Sequence, residues 1–184
     1  MSPAIGPVLQ REALLAFAEL LSYPDDALPG RLRAQAARLP SATGGALDAL
    51  ADRLALLGAG GAEELYTATF DLRPAVSPYA GMHLCGEGPR RNALLAHLAA
   101  LRAQAGLPPA DEVPDHFAEL LRYLAAAPAD EESEDVAALV LAPAARLAAA
   151  ALPHDNPYRA ALEALARALP ARAELPVRTK EAGP

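Results

Sequence analysis

The chain has no tryptophan and a single cysteine, and aromatic residues make up only 4% of its 184 positions. With Cys85 alone, no internal disulfide can form, which agrees with a reducing compartment. Scarce aromatics argue against a β-sandwich, whose pleated surfaces want aromatic and β-branched side chains. Basic residues are in deficit: 16 Lys and Arg stand against 23 Asp and Glu, for a net charge of −7. No segment supplies the basic face that a nucleic-acid binder needs, so no nucleic-acid partner is expected. The densest basic spot, Arg90-Arg91, reads as a solvated helix face. The acidic balance suits a positively charged peptide ligand better. No hydrophobic run is long enough to span a bilayer. The greasiest stretch, 136–152, is interrupted by Pro143 and Arg146. Met1-Ser-Pro-Ala-Ile-Gly-Pro lacks a basic region followed by an apolar one, so no signal peptide and a cytoplasmic location are expected.

What the chain does have is small and aliphatic. Its hydrophobic fraction is 53%, much of it alanine with leucine at helical spacing, and this favours closely packed helices. The expectation is an all-α single domain, a bundle of about eight helices over 1–169, followed by a mobile tail at 170–184. Leu14, Phe17, Ala18 and Leu21 form a first apolar stripe that should end before Pro24. A second helix opens near Pro29 and runs to Leu39. Leu47, Leu50, Leu54 and Leu57 mark a third, closed by Gly58 and Gly60-Gly61. A fourth begins near Ala62 and carries Leu65, Tyr66, Thr69 and Phe70. Residues 73–89, with three prolines and three glycines, should form the one long irregular loop. A fifth helix covers about 90–104. A Pro-rich connection at 106–114 leads to a sixth with Phe117, Leu120, Leu121 and Leu124. The acidic run 130–135 suits the N-terminal turn of a seventh. Pro143 should kink or break that helix. Asn156-Pro157 then caps a last one.

Three clusters have side chains that can do chemistry. Glu112-Val-Pro-Asp-His116 precedes an apolar helix. Pro114 suits a first turn and Asp115 the positive end of the helix dipole, so a capped helix start accounts for both. Asp115 and His116 are adjacent and do not face each other on a helix. Tyr66 and Phe70, four apart, share a helix face; they serve either as core or as the aromatic edge of a groove for an amphipathic peptide. His83, Cys85 and Glu87 are ligand types for zinc, but no second cysteine or spaced histidine pair completes a site. Nothing marks Cys85 as a reactive thiol. Gly86 and Gly88 lack the Lys-Ser/Thr ending of a phosphate loop. No cofactor is expected.

In order, the chain carries Leu-Leu-Ser-Tyr-Pro-Asp (20–25), Tyr-x-x-x-Phe-Asp (66–71), His-x-x-Gly-Glu (83–87), Glu-x-Pro-Asp-His (112–116) and Pro-Tyr-Arg-Ala-x-Leu (157–162). This succession resembles the nitrate reductase molybdenum-cofactor assembly chaperones, or delta subunits, which share a superfamily with the TorD- and DmsD-type chaperones. The resemblance runs from about residue 14 to residue 169. It implies an all-α fold and no catalytic activity. It also implies a partner, the apo catalytic subunit of a molybdopterin enzyme. That client is respiratory nitrate reductase or a related enzyme of the dimethyl-sulfoxide-reductase family. Its N-terminal segment would be bound while molybdenum cofactor is inserted. By the same resemblance Tyr66, Phe70, Gly86, Glu87, Glu112, Pro114, Asp115 and His116 border the peptide groove, with Glu87, Glu112 and Asp115 as acids on its rim. Tyr79–His83 and Cys85 depart from the family pattern, which leaves the client's identity open. Both a monomer and a helix-exchanged dimer fit.

Two other classes compete. A small metal-dependent hydrolase would need His116, Asp115, His83 and Cys85, helped by Glu87 or His97, to converge. A structural subunit would instead stay with the mature enzyme.

Overall fold

Helical spacing of leucine and alanine makes the elements, and proline sets several of their starts. The structure, a computed structural model, describes residues 10–72, 74–110 and 112–170. Residues 1–9 and the tail from 171 onward lie outside the described residues. The described residues form an all-α fold in which the only extended pairing is a single antiparallel bridge, Tyr79 to His116.

Helix α1 (Arg11–Leu20) buries Leu14, Phe17, Ala18 and Leu20. Helix α2 (Leu28–Ala36) has Pro29 in its first turn and stops three residues before Leu39. The expected third and fourth helices are one element, α3 (Ser41–Phe70), bent at Gly58, where φ is 71° and ψ is 178°. Only glycine adopts that backbone without strain. Gly60 and Gly61 stay helical, because glycine lowers helix stability without forbidding it.

The loop expected at 73–89 is not wholly irregular. It contains a short helix, α4 (Ala80–Cys85). Helix α5 (Pro89–Gln104) follows, with Pro89 in the first turn, where no N–H is needed. Helix α6 (Phe117–Ala126) starts after His116. Helix α7 (Glu131–Asp135) opens on a reciprocal cap: Ser133 N–H donates to Asp130 Oδ1 at 2.9 Å, and Asp130 N–H donates to Ser133 Oγ at 3.1 Å.

The kink or break expected at Pro143 takes the form of a change of helix type without an interruption. A π-helical turn, Val136–Leu141, runs directly into α8 (Ala142–Ala151). The wider turn absorbs the hydrogen bond that proline cannot make. Helix α9 (Pro157–Ala168) is capped as expected, with Asn156 Oδ1 accepting the Tyr158 N–H at 2.9 Å.

Helix α1 packs on α6, α2 on α3, and α9 against both α8 and α3. Ala142, Ala144, Ala145, Ala148 and Ala149 of α8 are buried, as are Ala161, Ala164 and Ala166 of α9. With so little side chain between them, these backbones approach closely. Phe17, Phe117 and Tyr158 supply the bulk.

Candidate functional site

Tyr66 and Phe70 share one face of α3, packed into the core and bordering an open cleft. Each is nearly buried, their ring centroids are 5.2 Å apart, and Phe70 meets Tyr158 edge-on at 5.0 Å. Their outer edges line an open cleft of about 330 Å³. The same cleft is bordered by Ser22 and Tyr23 after α1, Asp71 after α3, Pro78 and Tyr79 before α4, and Glu112 and His116 before α6. Glu119 and Arg122 of α6 close it.

The aromatic wall is well fixed. Tyr66 donates its hydroxyl to Leu21 O at 3.3 Å, and its ring meets Tyr23 edge-on at 5.5 Å. Burial first, then the Glu112 charge, push the Tyr66 hydroxyl up to about 12, so it stays a neutral donor. Tyr79 donates to Glu112 Oε2 at 3.1 Å. Burial and that carboxylate raise the Tyr79 hydroxyl too. Tyr23 is the most open member, 58% exposed.

The Glu-x-Pro-Asp-His segment divides its labour. Glu112 is exposed on the cleft edge. Pro114 is half-buried and lies outside both α6 and the cleft lining. His116, not Asp115, caps α6: its Nδ1 accepts the Ala118 N–H at 3.1 Å. Burial holds its imidazole below the ordinary value, which keeps Nδ1 free to accept.

The rim role expected for Asp115 is corrected by its surroundings. Its side chain is 0% exposed and takes Arg91 through two bonds, Nε at 2.8 Å and Nη2 at 3.1 Å. It also accepts the Gly81 N–H at 3.2 Å, while its carbonyl accepts the Ala80 N–H at 2.8 Å. Asp115 thus caps α4 from 34 residues away and ties it to α5. Arg91, read from sequence as a solvated residue, is that carboxylate's partner, and its guanidinium lies 5.3 Å from the Tyr79 ring centre. Gly86 ends α4 and Glu87 is exposed beyond it; neither lines the cleft.

Gly81 is where the backbone must come close. A Cβ there would lie 2.6 Å from Asp115 Oδ2 and 3.0 Å from Arg91 Cγ. Gly81→Ala should therefore cost about 1–3 kcal/mol through overpacking. Thermal unfolding checks this, and a melting point equal to wild type would refute the close approach.

The residues of the metal-hydrolase alternative do not converge. His83 Nε2 is bonded to Ser77 O at 2.8 Å and its ring stacks on Phe117. Cys85 Sγ donates to Gly81 O at 3.2 Å. His97 faces Glu132 at 3.6 Å on the surface. No group of three His, Cys, Asp or Glu side chains suited to a metal ion exists among the described residues. That alternative is not supported.

Sequence reasoning gave no role to Ser22, Tyr23, Asp71, Tyr79, Glu119 or Arg122. Ser22, Tyr23 and Asp71 belong to motifs that were visible, but nothing local joins residue 22 to residue 122. Glu119 is buried and bonded to Arg122, whose Nη2 reaches Ser22 Oγ at 2.8 Å. Arg102 Nη1 stands 2.6 Å from the other Glu119 oxygen, an ion pair without the alignment of a hydrogen bond.

The described residues thus form an all-helical domain with an open cleft of tyrosines and carboxylates. The family model described as nitrate reductase delta subunit matches residues 36–164, well over half of the chain. The chain belongs to that family, the assembly chaperones of nitrate reductase. No curated protein matches it. No helix among the described residues is long and apolar enough to cross a membrane.

Proposed function

We propose that the chain binds the N-terminal segment of an apo-molybdoenzyme catalytic subunit in the cytoplasm. It holds that subunit for molybdenum-cofactor insertion and then releases it. The client is nitrate reductase or a close relative in the dimethyl-sulfoxide-reductase family. The supporting observation is the cleft between α3, α6 and the 112–116 loop. It presents aromatic edges beside two carboxylates, Asp71 and Glu112, that pair with no cation among the described residues. An amphipathic helix lays apolar side chains on Tyr23, Tyr66 and Phe70, at roughly 25 cal/mol per Å² of apolar area covered. Its basic residues meet Asp71 and Glu112.

The direct test titrates the catalytic subunit's N-terminal segment against wild type and an Asp71→Asn/Glu112→Gln double variant. Both side chains are exposed, so the fold should survive, and a far-ultraviolet melt confirms it. The expected result is roughly ten-fold weaker binding, the sum of two exposed charge contacts. Equal affinity for both proteins would remove the cleft from the binding site.

A further inference from the structure

The cleft is electrically polarised along α6, and this bears on which way round a partner lies. Glu112 stands ahead of the N-terminal end of α6, and Asp71, just after α3, lines the same cleft. At the other end stands Arg122. Its charge looks cancelled by Glu119, but Glu119 serves two guanidinium groups, Arg122 and Arg102. One carboxylate between two arginines leaves one positive charge. Arg102 keeps only 10% of its side chain exposed, whereas Arg122 keeps 40%. The accessible face of that charge is therefore Arg122, steadied by Ser22 Oγ, whose own proton goes to Ala18 O at 2.7 Å. Six residue steps lead from His116, which caps α6, to Arg122, about 9 Å at helical rise.

We infer that Arg122 is a polarity-selecting residue. It receives a carboxylate, or the carbonyl-rich C-terminal end of a docked helix, while Glu112 and Asp71 receive a cation from that helix's N-terminal turns. The inference rests on the proposed use of this cleft. A helix dipole adds to the same preference, since its positive N-terminus faces Glu112 and Asp71 and its negative C-terminus faces Arg122. The partner helix then runs parallel to α6, with its basic residue about two turns before its acidic one. The opposite order puts arginine on Arg122 and a carboxylate on Glu112, two like-charge contacts.

The test uses two synthetic helical peptides of equal composition with the same apolar face. One carries its arginine two turns N-terminal to its glutamate, and the other has the pair exchanged. Fluorescence anisotropy with the full wild-type chain should favour the arginine-first peptide by about ten-fold at low salt. In Arg122→Gln the ratio should fall to within about two-fold, as one of the two contacts disappears. Should that variant fold poorly, a nitroxide on the wild-type pair decides instead. On the N-terminus of the arginine-first peptide it should broaden Tyr79 resonances, and on the C-terminus those of Tyr23. Equal affinities, or a preference for the exchanged peptide, overturn the inference and leave the cleft as a binding site. If neither peptide binds, both the cleft reading and the inference fall.

Discussion

Asp115→Ala is expected to destabilise the chain by about 3 kcal/mol, the loss that follows when one member of a buried ion pair is removed. Three bonds converge on that carboxylate, two from Arg91 and one from the Gly81 N–H. Alanine leaves the Arg91 guanidinium, with a side chain only 18% exposed, without its anion. It also removes the cap of a helix too short to hold itself together. Domains of this kind have about 5–15 kcal/mol in total, so the loss is a large share. Asp115→Asn should recover about half. Its amide oxygen at the Oδ2 position keeps the Gly81 and Arg91 Nε bonds, while its NH₂ opposes Arg91 Nη2. Urea unfolding reads both values as midpoint shifts at constant slope. An Asp115→Ala midpoint within error of wild type would sink the clamp.

That result governs how binding data should be read. A loss of client capture in Asp115→Ala reports a loosened scaffold, because Ala80 and Phe117 bond across the same junction, to Asp115 O and Pro78 O. Tyr79, which holds Glu112, sits in the middle of it. Site variants belong at Asp71, Glu112 and Tyr23, which are exposed and lie on the cleft itself.

The junction also shows what was legible in the sequence. Where a helix is decided within one turn of itself, the residues announced it. The apolar stripes of α1, α6 and α9, the acidic start of α7, the Asn156 cap and an interruption at Gly58 are all short-range events. Helix α4 was hidden because its cap comes from a residue 34 positions away. Asp115 was misread for the same reason: next to a helix start an aspartate looks like that helix's own cap, and the family resemblance set it on the groove rim, whereas its side-chain partners are Gly81 and Arg91. Half of the cleft was visible, since Tyr66 and Phe70 share a face and Glu112 and His116 share a motif. The other half depends on Ser22 and Arg122, 100 residues apart, and no periodicity encodes such a contact.

Glu119 joins the cleft to the core, and Glu119→Leu is expected to cost about 3–5 kcal/mol. Leucine fits the volume and helix propensity of the position, so the loss is electrostatic. Arg102, with 10% of its side chain exposed, would lose its carboxylate partner among the described residues and retain there the carbonyls of residue 119 and Pro108. Arg122 can turn toward solvent and suffers less. The asymmetry predicts how the variants combine. Glu119→Leu with Arg102→Met removes both buried charges, and an apolar replacement of a buried ion pair is often close to neutral. Two backbone carbonyls then lose a donor, at about 1 kcal/mol each. The double variant should therefore be more stable than Glu119→Leu alone by about 2 kcal/mol, while Glu119→Leu with Arg122→Met should gain little. Equal recovery from both arginines would show that the charge is shared evenly between core and cleft. Arg122 would then lose its standing as the exposed end of the triad, and with it the ground for a polarised cleft.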